Sequence, residues 1–203
     1  LRFPFTLLIA SLGWSQIALT AADWPRFRGP NGSGVAEVTG LPSDFGPDKV
    51  VWKTALPWGH SSPIISGNRI FLTSAAAVGE AKEDEHEHSD GDHDNVDPEY
   101  RQRSVVLAIN RADGSILWEK IVNEERPHES THVTGSWASC SPVTDGEYVI
   151  ASFGSRGIYC LDIGGELAWK KDLGDMKVKH GHGEGSSPAL HGDTVVVNWD
   201  HEG

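Results

Sequence analysis

"SSPIISGNRIFLTS" at residues 61–74, "CSPVTDGEYVIASF" at 140–153 and "SSPALHGDTVVVNW" at 186–199 are three copies of one template, with a Ser-Pro step and a glycine four residues past the proline. The alternating apolar run after that glycine predicts a β-strand, and the Ser-Gly-Asn, Asp-Gly-Glu or His-Gly-Asp before it predicts a hairpin turn. A second template completes the unit. "SVVLAINRADGSILWEKI" at 104–121 and "GIYCLDIGGELAWKKDL" at 157–173 are each predicted to be a hairpin whose last strand carries a tryptophan, Trp118 and Trp169. Four short strands per unit, turn glycines at fixed offsets and one tryptophan per unit are the signature of a β-propeller blade. The expected fold is therefore all-β, with four-stranded antiparallel blades. The pattern yields a final strand around Trp52, two full blades and half of a third, about two and a half in all. Propellers close with about 4 to 8 blades of roughly 40 to 50 residues each, so the chain is expected to be an open piece of a ring of about seven or eight.

The templates resemble the repeats of pyrroloquinoline-quinone-type (PQQ-like) β-propeller proteins. That family includes PQQ-dependent dehydrogenases and the non-catalytic scaffold of outer-membrane protein assembly. "DWPRFRGPNGSG" from Asp23 and "VVWKTALPWGHSSP" from Val50 resemble secreted bacterial members. The resemblance runs from Asp23 to Gly203 and speaks to fold more than to function, because propellers host many unrelated activities.

Arg2, the apolar run from Phe3 to Gly13 and the small-residue end Thr20-Ala21-Ala22 predict a signal peptide over 1–22, leaving the propeller domain at 23–203. No later stretch is long and apolar enough to span a bilayer. The expected location is the periplasm or the exterior. Two cysteines in such a compartment invite a disulfide. Cys140 opens an inner strand and Cys160 sits in the third strand of the same blade, so one strand at about 4.8 Å spacing separates each from the next. That places them nearly 10 Å apart, beyond disulfide reach, and predicts two buried thiols.

The net charge of −12 is concentrated in one place. Residues 80–99, "EAKEDEHEHSDGDHDNVDPE", hold ten carboxylates against Lys82. Such a composition cannot bury a core and predicts a solvated acidic, His-rich insertion between strands. His86, His88 and His93 among these carboxylates are candidate ligands for a divalent cation. The calcium-loop pattern fails, since Asn95 stands where glycine is needed and Arg101 where the closing glutamate is needed. Without a basic stripe to neutralise phosphates, nucleic acid is excluded as the expected partner.

Blade topology gathers the remaining polar loops. The loop between second and third strands and the loop into the next blade share one face, and nine of the ten histidines fall there, His191 alone lying opposite. Imidazoles and carboxylates at the mouth of a central channel suit metal binding, quinone binding or acid-base work. The candidate cofactor-binding residues are Trp58, His60, Trp137 and Glu184, and the candidate metal ligands are His128, His132, His180 and His182. Exposed loop positions without a shared task are the alternative for all of them. His128-Glu129-Ser130-Thr131-His132 matches the His-Glu-x-x-His pattern of zinc peptidases, which needs a helix to bring both imidazoles to one metal. Pro127, the β-branched Thr131, Val133 and Thr134, and Gly135 argue against a helix here. Gly181-His182-Gly183-Glu184-Gly185 precedes a strand, so it is not a dinucleotide fingerprint.

Two functions remain open on the sequence. One is an exported binding or scaffold propeller, with the His-rich face meeting a protein or small-molecule ligand. The alternative is a PQQ-dependent dehydrogenase of the alcohol type, which the resemblance would supply with PQQ, Ca²⁺, a vicinal cysteine pair and a catalytic aspartate. Neither the cysteine pair nor that aspartate can be placed in this sequence, and the non-catalytic function is favoured.

Overall fold

The computed structural model describes residues 23–82 and 94–200. In chain order the strands are β1 (Ile64–Ser66), β2 (Arg69–Val78), β3 (Asn95–Val96), β4 (Arg101–Asn110), β5 (Ile116–Glu125), β6 (Thr131–His132), β7 (Val143–Thr144), β8 (Tyr148–Ser152), β9 (Ile158–Asp162), β10 (Leu167–Lys171), β11 (Ala189–His191) and β12 (Thr194–Val196). They form two four-stranded antiparallel sheets, β1-β2-β4-β5 and β7-β8-β9-β10, and two two-stranded sheets, β11-β12 and β3-β6. The first three are the two blades and the half blade that the templates predict. The first blade is the taller, since β2, β4 and β5 have ten residues each where β8, β9 and β10 have five.

Side-chain alternation explains why the blades stack. Val149 and Ala151 of β8 and Tyr159 and Leu161 of β9 point into a core shared with Ile64, Phe71, Val106 and Ala108 of the first blade. The intervening Ile150, Ile158 and Cys160 point the other way, into a core shared with Leu190 and Val195 of the half blade. A strand with period-2 side chains and a neighbour on each side buries both faces. Accordingly β8 and β9 are apolar almost throughout.

Two further contacts set the spacing between blades. The indole N–H of Trp118, on the outer strand of the first blade, donates to the carbonyl of Ile163 at 3.0 Å in the β9–β10 turn of the second. Its ring lies where a Cβ on Gly165 would come within 2.8 Å of it, so this turn tolerates only glycine. Trp52 repeats the arrangement one step earlier, donating to the Arg111 carbonyl at 3.0 Å and covering Gly114. Residues 51–57 around Trp52, expected as an outermost strand, form no ladder, because no described strand lies beside them to pair with. Nearer the ring axis, the Ser62 N–H donates to Ser141 Oγ and the Ser141 N–H to Ser187 Oγ, both at 2.9 Å. Each serine of the Ser-Pro step thus takes the amide of its counterpart one blade back.

The segment after Asp23 laces the inner strands together. Trp24 exchanges backbone hydrogen bonds with Ile65 of β1 at 2.9 and 2.8 Å, the Pro25 carbonyl accepts from Thr144 of β7 at 2.9 Å, and Arg26 reaches the Leu190 carbonyl of β11 at 3.5 Å. Three blades are crossed in three residues.

The tryptophan contact makes a graded prediction for the full-length protein. Trp118→Ala removes ring and donor together and is expected to cost about 3 kcal/mol in urea unfolding, whereas Trp118→Phe, which keeps most of the packing, costs about 1 kcal/mol. Equal losses would show that the indole N–H, and not the ring, fixes the turn.

Candidate functional site

The β8–β9 turn and the two inter-blade loops, residues 126–142 and 172–188, meet on one face. Glu184 organises this meeting. Its carboxylate accepts from both the backbone N–H and the hydroxyl of Ser155, in the short 3-10 turn Gly154–Arg156, and a Cβ on Gly154 would collide with it. The Ser155 hydroxyl oxygen also accepts from the Met176 N–H at 2.7 Å. One carboxylate therefore pins a turn of the second blade to the loop that leads into the third.

The neighbouring polar groups are used in the same way. His128 Nε2 lies 2.7 Å from the Met176 carbonyl, which can only accept, so Nε2 carries the proton and Nδ1 accepts from Arg156 at 3.0 Å. Arg156 also pairs with Asp175 and, at 3.1 Å, with Glu125 of β5, joining the first blade to this loop. The Glu129 carboxylate receives the Val178 N–H at 3.0 Å, and the Trp137 indole donates to the Glu129 carbonyl at 3.0 Å. Residues 128–132 form no helix, and only Thr131–His132 are strand. The His-Glu-x-x-His match thus lacks the helical geometry that a zinc peptidase requires, as its flanking residues predict.

His132, His180 and His182 come together, apart from His128. The expected acidic insertion is structured at its described edge: β3 pairs with β6, placing Asn95 opposite His132. Asn95 Nδ2 donates to the His180 carbonyl at 3.0 Å, Ser130 Oγ to the Gly181 carbonyl at 2.8 Å, and the His132 N–H to the His182 carbonyl at 3.2 Å. Gly181 and Gly183 both have positive φ, and a Cβ on either would come within 2.5 Å of Ser130 Oγ or 2.7 Å of Thr131 Oγ1. The result is a stitched loop from which exposed His180 and His182 project beside His132. Ring centroids are 5.1 Å apart for His132 and His182 and 5.6 Å for His180 and His182. Among the described residues no group of three or more His, Cys, Asp or Glu already converges as a metal site. His86, His88, His93 and His201 lie outside the described residues.

Of the residues expected to hold a cofactor, Trp58 and His60 stack edge-to-face at 5.2 Å on the first inter-blade loop. Trp58 is 49% exposed. Trp137 packs against the core between the first two blades, and Glu184 is bound to Ser155. Trp137 and Glu184 line one cavity, and the His60 N–H donates to the carbonyl of Ala138, next to Trp137, at 3.1 Å. Beside Glu184 opens a cleft of about 190 Å³, also lined by Cys140, Ser152, Ser186, Asn198 and Asp200. Sequence reasoning missed Ser155, Arg156 and Asn95, which act through contacts 29, 28 and 85 residues away.

Both cysteines are free and buried. Burial, reinforced by the negative charge of Glu184, pushes the Cys140 thiol up to about 12; burial and Asp145 push Cys160 up to about 11. Neither is a thiolate at physiological pH, which removes nucleophilic roles for them.

These sheets, inter-blade tryptophans and gathered loops define an open run of β-propeller blades. Residues 102–202 match the family described as outer membrane protein assembly factor BamB, and over that stretch the chain is a PQQ-like repeat protein. No curated protein matches the chain. No helix among the described residues is long and apolar enough to cross a membrane.

The thiol shifts predict chemical inertness. In the native full-length protein at pH 8, peptides carrying Cys140 and Cys160 are expected to remain unlabelled by iodoacetamide over an hour, and to label fully in urea. Rapid native labelling at Cys140 would contradict both its burial and its raised pKa.

Proposed function

We propose that the protein is an exported PQQ-like β-propeller that works as a binding or scaffold module, with residues 1–22 as its signal peptide, 23–203 as propeller and the His-rich loop face as its contact surface. The observation that carries this reading is how the loop-face polar groups are used. His128, Glu129, Glu184 and Arg156, the residues best suited to acid-base or ligand chemistry, hold other loops in place. Groups committed to backbone amides and carbonyls make a rigid surface, and rigid surfaces lose little entropy on docking a partner. The match of residues 102–202 to the outer membrane assembly factor family supports the same reading, as does that family's tie to the outer membrane.

A quinoprotein would need a flat, open site over the ring axis for PQQ and Ca²⁺. In this reading Trp137 and Glu184 are structural, and Trp58 with His60 belongs to the contact surface. Titration of PQQ, with and without Ca²⁺, into the full-length mature protein is expected to give no saturable quenching of tryptophan fluorescence. Saturable binding with Kd near 1 μM or tighter, about −8 kcal/mol, would make the protein a quinoprotein and end the scaffold reading.

A further inference from the structure

Most side chains on the loop face are tied down, but three imidazoles are held close together by backbone contacts, His180 and His182 exposed and His132 half-buried. We infer that His132, His180 and His182 form a capture site for a divalent transition-metal ion, with Zn²⁺ as its reference cation. This inference rests on the loop face being a binding surface and names what that surface takes. Imidazole suits Zn²⁺, Ni²⁺ and Cu²⁺ rather than Ca²⁺ or Mg²⁺.

The distances fit a shared ion. With Zn–N bonds of about 2.0–2.1 Å and tetrahedral angles, two rings on one ion have centroids about 5 Å apart. His132 and His182 stand at 5.1 Å, and His180 and His182 at 5.6 Å. As they stand, no three such side chains among the described residues could hold an ion, so the site requires the exposed His180 and His182 rings to turn toward His132. Their backbone positions are already set by the His132–His182, Asn95–His180 and Ser130–Gly181 hydrogen bonds, so little ordering remains for the ion to impose.

An outer partner is also present. Thr134 Oγ1 lies 2.7 Å from His132 Nδ1. When Nε2 binds an ion the ring proton moves to Nδ1, and Thr134 Oγ1 accepts it, replacing the 3.2 Å contact from the Thr134 N–H. His128 is excluded from the set. Its nitrogens are occupied by the Met176 carbonyl and Arg156, and freeing them would break both contacts.

The test is calorimetric titration of Zn²⁺ into metal-free, full-length mature protein without a polyhistidine tag, with Co²⁺ as a spectroscopic probe. One site of micromolar affinity or tighter is expected. His182→Ala and His132→Ala should each weaken it about 100-fold and abolish the visible absorption of bound Co²⁺, and Thr134→Ala should weaken it about 10-fold. The triple variant His86→Ala, His88→Ala, His93→Ala should leave it within about 3-fold of the parent, which separates this site from the acidic insertion. Circular dichroism of His182→Ala should match the parent, because the side chain is exposed. The inference is overturned if no site tighter than about 100 μM exists, if His132→Ala and His182→Ala bind as the parent does, or if only the triple variant loses binding. Quinone and metal titrations have separate readouts, so this inference can fail while the scaffold reading stands.

Discussion

Every other feature of this protein depends on how one blade is registered against the next. A four-stranded blade is only one sheet thick, and its strands carry apolar side chains on both faces. Such a sheet has no interior of its own and is stable only between neighbours. Hydrophobic burial brings blades together but is not directional, so it cannot fix their spacing or angle. Two directional contacts do so. Trp118 reaches out to the Ile163–Gly165 turn at the periphery, and the Ser62–Ser141–Ser187 amide-to-hydroxyl chain runs near the axis. Contacts at two radii define an angle, whereas one alone would leave a hinge.

That registration places the loop face. Inter-blade loops begin at an outer strand and end at the next inner strand, so fixing the blades fixes both ends of each loop. The middle of each loop is held by Glu184 on Ser155, Glu129 on Val178 and His128 between Met176 and Arg156. Carboxylates that accept backbone N–H groups are committed to structure and poorly suited to moving protons, and Arg156 is shared between two carboxylates. The three imidazoles beside them are different. Their alignment comes from their backbones, which leaves the rings able to meet a ligand.

The sequence disclosed what repeats and little of what does not. The Ser-Pro steps at Ser62, Ser141 and Ser187, the turn glycines Gly67, Gly146 and Gly192, and the spacing of Trp118 and Trp169 recur because each blade meets the same demands, and recurrence can be seen without coordinates. The all-β fold and both full blades followed from it. Trp52 was legible as a blade residue, but the strand around it was not realised, since a ladder needs a partner that local pattern does not supply. The β3–β6 pair escaped notice because strands of two residues leave no period. Its first strand also begins within what composition marked as a solvated acidic run. Glu184 and His132 were chosen as loop-face residues, yet their contacts with Ser155 and His182 join positions 29 and about 50 residues apart. His128 and His132, four residues apart, looked like partners and are not, because the chain between them bends into a two-residue strand instead of forming a helix.

The claim that blade registration underlies the rest is tested most directly by native-state hydrogen exchange of the full-length protein, resolved to the amides of Ser62 and Ser141. Both amides are expected to exchange as slowly as core amides such as those of Val106 and Leu161, and Ser187→Ala is expected to accelerate Ser141 selectively. Exchange of Ser62 and Ser141 at the rate of exposed loops would contradict it, and registration would then rest on hydrophobic packing alone.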